Sequence, residues 1–223
     1  MKKTIIDDGF YSELVETAQF AGIHEIPILE CPENIIIPSG LIPYSQINKT
    51  KDHSEFIHFY EHDIKFRDII TSTGKYYSKI KEFAGVISPD CSLYRDMPLV
   101  LQFANTYMNR AVGYYLQHNG IYTIPNVRWG DERSFTNEYC GEKVAFLGIP
   151  KNSIVSIGTY GCIKSREDRY FFKAGLAAML EELTPQVVLV YGSMPESVFG
   201  NYSKYTTFYQ FPDWISQKRK KVT

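Results

Sequence analysis

No stretch of this chain approaches the ~18 uninterrupted apolar residues of a helical membrane span, so a role inside the bilayer is not expected. Neither sign of charge dominates: 24 Lys and Arg stand against 25 Asp and Glu, a formal net charge of -1. A broad, sequence-independent grip on nucleic acid normally shows as a basic chain, so that class is disfavoured, although a local patch is not. Cysteine is scarce. Cys31, Cys91, Cys140 and Cys162 form no C-x-x-C pair, which removes zinc ribbons and thioredoxin-type motifs and leaves structural thiols of a reducing cytoplasm. The start, Met1-Lys2-Lys3, meets Asp7 and Asp8 before any long apolar run, unlike a secretory leader. The chain has no G-x-x-x-x-G-K-[ST], no G-x-G-x-x-G, no G-x-S-x-G and no H-E-x-x-H, so P-loop, dinucleotide-fingerprint, serine-hydrolase and zincin readings all lack their motif.

What is present is apolar and aromatic. Of 223 residues 44% are hydrophobic and 15% aromatic, including 17 Tyr and 14 Phe. That suffices to bury the core of one large domain over 1–223. We expect an N-terminal extension (1–54), a parallel β/α core (55–193) and an aromatic, basic C-terminal appendix (194–223). In the extension, Phe10, Leu14 and Ala18 at helical spacing predict a short helix over 10–20, and Ile35-Ile36-Ile37 predicts a strand.

The core has a rhythm. Apolar runs centre near residues 57, 86, 122, 155 and 188, at spacings of 29, 36, 33 and 33. A βαβ unit needs ~30 residues or more, and apolar runs without alternation suit strands covered on both faces. Helices are expected between them at 75–83, 97–118 and 168–183. The fold class is therefore α/β with a mainly parallel sheet, either an incomplete (β/α) barrel or a doubly wound sheet. In the long helix, Leu101, Ala104, Met108, Val112 and Tyr115 are the expected core stripe, while Gln102, Asn105 and Asn109 share a polar face.

In parallel α/β folds ligands bind outside the carboxyl ends of the strands. The strand endings are polar and Gly-rich: Tyr60-Glu61-His62-Asp63, Ser88-Pro89-Asp90, Pro125-Asn126, Gly158-Thr159-Tyr160-Gly161 and Tyr191-Gly192. If the strands are neighbours, Asp63, Asp90 and Asn126 converge on one rim. Two carboxylates there suit Mg²⁺, a hard cation, or general acid–base chemistry. Ser-Pro-Asp is equally ordinary turn chemistry, in which Asp90 caps the next turn or helix. Asp63 and Asp90 are thus the candidate catalytic and metal-binding pair. Asn126, Arg110 and Asn105 are candidates for orienting a ligand, with Tyr94, Trp129 and Tyr191 as rings around it. Gly158, Thr159, Gly161 and Gly192 are candidates for presenting backbone N–H groups to a phosphate.

Ser88-Pro89-Asp90-x-Ser92-x-Tyr94-x-Asp96-Met97-Pro98, then Asn119-Gly120-Ile121, Ile124-Pro125-Asn126-x-x-Trp129, and Tyr191-Gly192 together resemble an uncharacterised family of bacteria, phages and mobile elements. It is catalogued as domain of unknown function 4417, and the resemblance covers roughly 15–215. It supplies no reaction. It implies a phage or mobile-element setting, in which a small cytoplasmic protein acts on a nucleic acid or nucleotide, or binds a nucleotide or a host protein without catalysis. Direct nucleic-acid binding through Lys218-Arg219-Lys220-Lys221 is a further reading.

Overall fold

Short β-branched and apolar runs bounded by Pro, Gly and Asn make most of the strands. A computed structural model describes residues 11–220. Phe10 and Lys221, and the side chains of 218–220, lie outside the described residues. An antiparallel pair comes first, β1 (Phe20–Ala21) with β2 (Ile26–Pro27). Seven parallel strands come next: β3 (Leu41–Pro43), β4 (Phe56–His58), β5 (Gly85–Ile87), β6 (Thr123–Ile124), β7 (Ile154–Gly158), β8 (Val187–Tyr191) and β9 (Thr207–Phe211). The first four pair in sequence order, and so do the last three. Representative registers are Ile57↔Val86, Ile87↔Ile124, Val155↔Val188 and Val188↔Phe208.

One parallel bridge, Asn126↔Ser156, joins the two groups, with Val127 N–H donating to Ser156 O and Ser156 N–H to Pro125 O, both at 2.8 Å. Spatial order therefore equals chain order throughout. A doubly wound sheet reverses its order at a switch point, and this one does not. The arrangement is that of an incomplete barrel. Among the described residues no pairing joins β3 to β9, so it stays open.

Side chains alternate across each strand, and the three clusters of buried residues match that alternation. Leu41, Phe56, Ile87, Ile124, Ile154 and Leu189 meet inside. On the outside, Ile42, Ile57 and Val86 pack against α1 (Arg67–Thr71), α2 (Thr73–Ile80) and α3 (Leu99–His118). Val155, Ile157, Val188 and Val190 pack outward too, against Leu176, Met179 and Leu180 of α5 (Arg166–Leu183). The short α4 (Glu132–Phe135) lies in the β6–β7 connection, α6 (Glu196–Phe199) between β8 and β9, and α7 (Trp214–Lys220) after β9. Ser165 opens α5 with a reciprocal capping box to Asp168, and Thr184 in the left-handed region closes it before Pro185.

Several sequence expectations are corrected. The segment 10–20 is not a helix: within its described part a single 3-10 turn, Ser12–Leu14, precedes β1. Gly22, at φ +68°, turns the hairpin. Ile35-Ile36-Ile37 forms no strand. The Tyr122 hydroxyl replaces a ladder there, accepting from Ile36 N–H and donating to Asn34 O. Strands β3 and β9 fall outside the expected 55–193 core. β9 comes from the aromatic appendix and pairs with β8 along all five residues.

The face of α3 is inverted at its start. Leu101 is 50% exposed and Ala104 is exposed, while Gln102, Thr106, Asn109 and Arg110 are buried. The helix packs there on loops leaving β5 and β6, whose carbonyls lack sheet partners. Gln102 donates to Met97 O at 3.1 Å, Asn105 to Ser92 O at 2.6 Å and Asn109 to Asn126 O at 3.2 Å. Buried carbonyls need donors, so amides face inward.

The hairpin is held against the chain after α4 at Gly148, whose carbonyl accepts from Leu29 N–H at 2.9 Å. Gly148 sits at φ +73°, and a Cβ there would collide with the Pro27 carbonyl oxygen. Gly148→Ala should therefore cost about 2 kcal/mol or more of unfolding free energy, read from urea midpoints, because strain and collision act together. A cost near zero would mean that the hairpin is not seated there.

Candidate functional site

Every parallel strand delivers its carboxyl end to one cavity of about 400 Å³. Pro43 comes from β3, and Tyr60 to Asp63 come after β4. Asp90, Ser92 and Tyr94 come after β5, and Arg128 after β6. Gly158 ends β7, with Tyr160 to Cys162 and Lys164 beyond it. Tyr191 ends β8, and Asp213 to Ile215 lead from β9 into α7. Tyr94 and Tyr160 are 53% and 57% exposed, so two rings project at the mouth.

A buried chain of hydrogen bonds sets the floor. The Tyr60 hydroxyl donates to Asn126 Oδ1 at 3.0 Å and lies 2.6 Å from Ser156 Oγ, which serves as its donor in that arrangement. Asn126 Nδ2 donates to Asp90 Oδ1 at 2.9 Å, and Arg128 Nη1 donates to Asp90 Oδ2 at 2.8 Å. Burial pushes the Asp90 carboxyl above its ordinary pKa; Arg128 and the Asn126 bond pull it down, and the Asp63 charge pushes it up again. Burial opposes the Arg128 charge, but Asp90 outweighs it and the guanidinium stays protonated. The rings of Tyr60 and Tyr191 stack at 4.7 Å, and the Tyr191 hydroxyl, pushed up to about 12 by burial, accepts from Trp214 N–H at 3.0 Å.

Asp63 opens a 3-10 turn, Asp63–Lys65, and reaches the neighbouring strand end. Its carboxylate accepts from Ser92 N–H at 3.1 Å and Ser92 Oγ at 2.7 Å. Asn105 grips the Ser92 carbonyl from the other side. The β5 loop is thus fixed between an acid and an amide, with Asp90 two residues away.

Of the residues picked out from sequence, Asp63, Asp90, Tyr94, Gly158, Gly161 and Tyr191 border the cavity. Asn126 and Asn105 stand behind its wall and position Asp90 and Ser92. Trp129 is buried under α5 beside Phe172. Thr159 turns inward, Oγ1 donating to Ser193 O at 2.7 Å, beside Gly192 at φ +112°. The N–H groups of Thr159 and Cys162 bond the carbonyls of Tyr191 and Thr159, which reduces this turn's capacity as an anion cradle.

Arg110 is a correction. It is fully buried, and its guanidinium is engaged by the carbonyls of Leu147, Ala145 and Asn126, so it does not face a ligand. Sequence reasoning missed Arg128, Lys164 and Asp213. Arg128 carries a legible signal, since it stands two residues after Asn126 on the same strand end. Asp213 does not, because β9 itself was unread. His58 and His62 are four apart in sequence, yet His58 is buried and His62 is exposed. Among the described residues no group of three or more His, Cys, Asp or Glu is placed to hold a metal ion.

The profile of a family described as "Domain of unknown function (DUF4417)" matches residues 18–212. The chain belongs to this family. The match takes in all seven parallel strands and ends just before Trp214. Two relatives are phage proteins. The "Gene 1 protein" of Mycobacterium phage L5 is 29% identical over 211 residues, 93% of this chain and 86% of that one. The "Gene 1 protein" of Mycobacterium phage D29 is 29% identical over 167 residues, 75% of this chain and 58% of that one. The DUF4417 chain thus spans a little over half the length of the D29 protein. No solved structure matches it.

Proposed function

We propose that the open end of the incomplete barrel binds a small nucleotide together with a divalent cation, in the cytoplasm of a phage-bearing host. The observation that carries the reading is the convergence of Asp63 and Asp90, from separate strand ends, on one cavity that also presents two exposed tyrosine rings. Its volume is that of a small-molecule site. Rings of this kind stack on planar bases.

The charge balance argues for the cation. Glu61, Asp63, Asp90 and Asp213 border the cavity against Lys65, Arg128 and Lys164. Lys65 is bonded to Glu61 and Arg128 to Asp90, so Lys164 faces the remaining acids. A bare phosphate would meet like charge. Mg²⁺ needs only one or two carboxylates when phosphate oxygens complete its shell, so a three-residue protein cage is not required. Asp63 and Asp90 would hold it, and the chemistry it supplies is charge neutralisation.

Calorimetric titration tests this. Mg²⁺ with a mononucleotide should give heat where the nucleotide alone gives little, and Asp63→Asn or Asp90→Asn should weaken binding at least about tenfold, the scale of losing a charged contact. Equal heat for wild type and both variants overturns the reading. Turnover of the bound nucleotide assigns an enzyme, and binding without turnover assigns a sequestering protein.

A further inference from the structure

We propose that the ligand site continues past Tyr94 and Arg128 into a second compartment against α5, and that the whole cleft takes two nucleosides joined by a phosphate. This rests on the nucleotide reading and extends it. The cavity at the barrel mouth adjoins a hollow of about 140 Å³ that shares Tyr94, Arg128, Gly161 and Cys162 with it. That hollow in turn adjoins an outer one of about 510 Å³, with Tyr94, Arg95, Asp168 and Phe171 in common. Trp129 and Phe172, both buried, underlie the passage. Gly161, at φ +84° with nothing within 4 Å of where a Cβ would stand, leaves it open.

The chemistry repeats along this path. At the mouth the Tyr160 ring and the Arg128 guanidinium line the same cavity. In the outer compartment the Arg95 guanidinium lies 5.1 Å from the centre of the Phe171 ring. Tyr94 belongs to all three hollows and sits at their junction. Alternating rings and guanidinium groups match the alternation of bases and phosphates. Arg95 is bonded to Glu167 at 3.1 Å and Asp168 at 2.9 Å. The Glu167 side chain is 70% exposed, and Asp168 keeps its capping bonds to Ser165 without Arg95, so these partners can give way to a phosphate whose charge Mg²⁺ offsets beside Asp96, Glu167 and Asp168. The adjoining hollows together exceed what one nucleotide fills, and the second ring lies where a second base would stack.

The test is calorimetry in Mg²⁺ with adenosine monophosphate and with the 5′-phosphorylated dinucleotide pApA. One further stacked base should tighten binding by about tenfold. Phe171→Ala and Arg95→Ala should each bring pApA to within about twofold of the mononucleotide and leave the mononucleotide unchanged, since both residues lie outside its compartment. If the mononucleotide binds but pApA binds no tighter, the second compartment is wrong and the nucleotide reading stands. If neither binds, both fail. An oligoadenylate of about eight residues distinguishes the source of the chemistry: affinity equal to pApA means that the cleft accepts a strand end, and weaker affinity means a free dinucleotide.

Discussion

Acidification from pH about 7 to about 4.5 should cost the protein roughly 3 kcal/mol of unfolding free energy through one side chain, His58. His58 ends β4 inside the barrel with 0% of its surface exposed. Its Nδ1 accepts from Tyr60 N–H at 3.1 Å, which places the proton of the neutral ring on Nε2, and Nε2 has no partner. Burial pushes its pKa down from the ordinary 6.5 to about 3. Between those values the unfolded chain binds a proton that the folded one refuses. The stabilisation is therefore complete above pH 6.5 and is lost as the pH falls towards 3. Asp90 has the opposite sign, because its folded pKa is raised, so the comparison must isolate His58. Urea midpoints across this range should fall more steeply for wild type than for His58→Leu. Parallel curves would show that His58 is not a buried neutral ring.

Arg110→Met should lower stability by about 3–5 kcal/mol, the scale seen when a buried charged network loses one partner. The guanidinium has no carboxylate partner. Nε donates to Leu147 O at 3.0 Å, Nη1 to Asn126 O at 3.0 Å and to Asn109 Oδ1, and Nη2 to Ala145 O at 2.9 Å. Burial pulls its pKa down to about 9, so it is still charged at neutral pH. Met fills similar space but strands these acceptors away from water. Lys should not rescue, because one ammonium cannot span the β6 end and the 145–147 segment at once. Chemical denaturation measures the loss; a cost below about 1 kcal/mol would overturn the assignment, since that is the range of surface substitutions.

The parallel core was legible because its strands are apolar on both faces, a pattern that survives without knowing the neighbours. The runs at Phe56, Val86, Ile124, Val155 and Val188 each became a strand. β9 was not legible: Thr-Phe-Tyr-Gln-Phe is an edge strand half open to solvent, and it resembles a loop of loose aromatics. β3 is three residues ending in Pro43, too short to carry periodicity. The polar start of α3 misled for a related reason. Hydrophobic spacing assumes that the inward face is apolar, whereas here it meets bare loop carbonyls. In the site, Asp63 and Asp90 were visible as acids that come after apolar strands. The pairing of Asp90 with Arg128, and the withdrawal of Arg110 into the core, depend on which backbone groups lie opposite, and those are fixed only by the fold.

The two groups of strands meet at a narrow seam, the bridge between Asn126 and Ser156. Asp63, Asp90 and Arg128 stand on one side of it, and Gly158, Tyr160 and Lys164 on the other. Anything seated at the mouth touches both halves and works as a staple across their thinnest join. Occupancy would then be felt as cohesion of the whole molecule, because a ligand held only by the folded form adds its binding free energy to the cost of parting the halves. Asn126, which spans the seam and also holds Asp90, makes the join and the site a single mechanical unit.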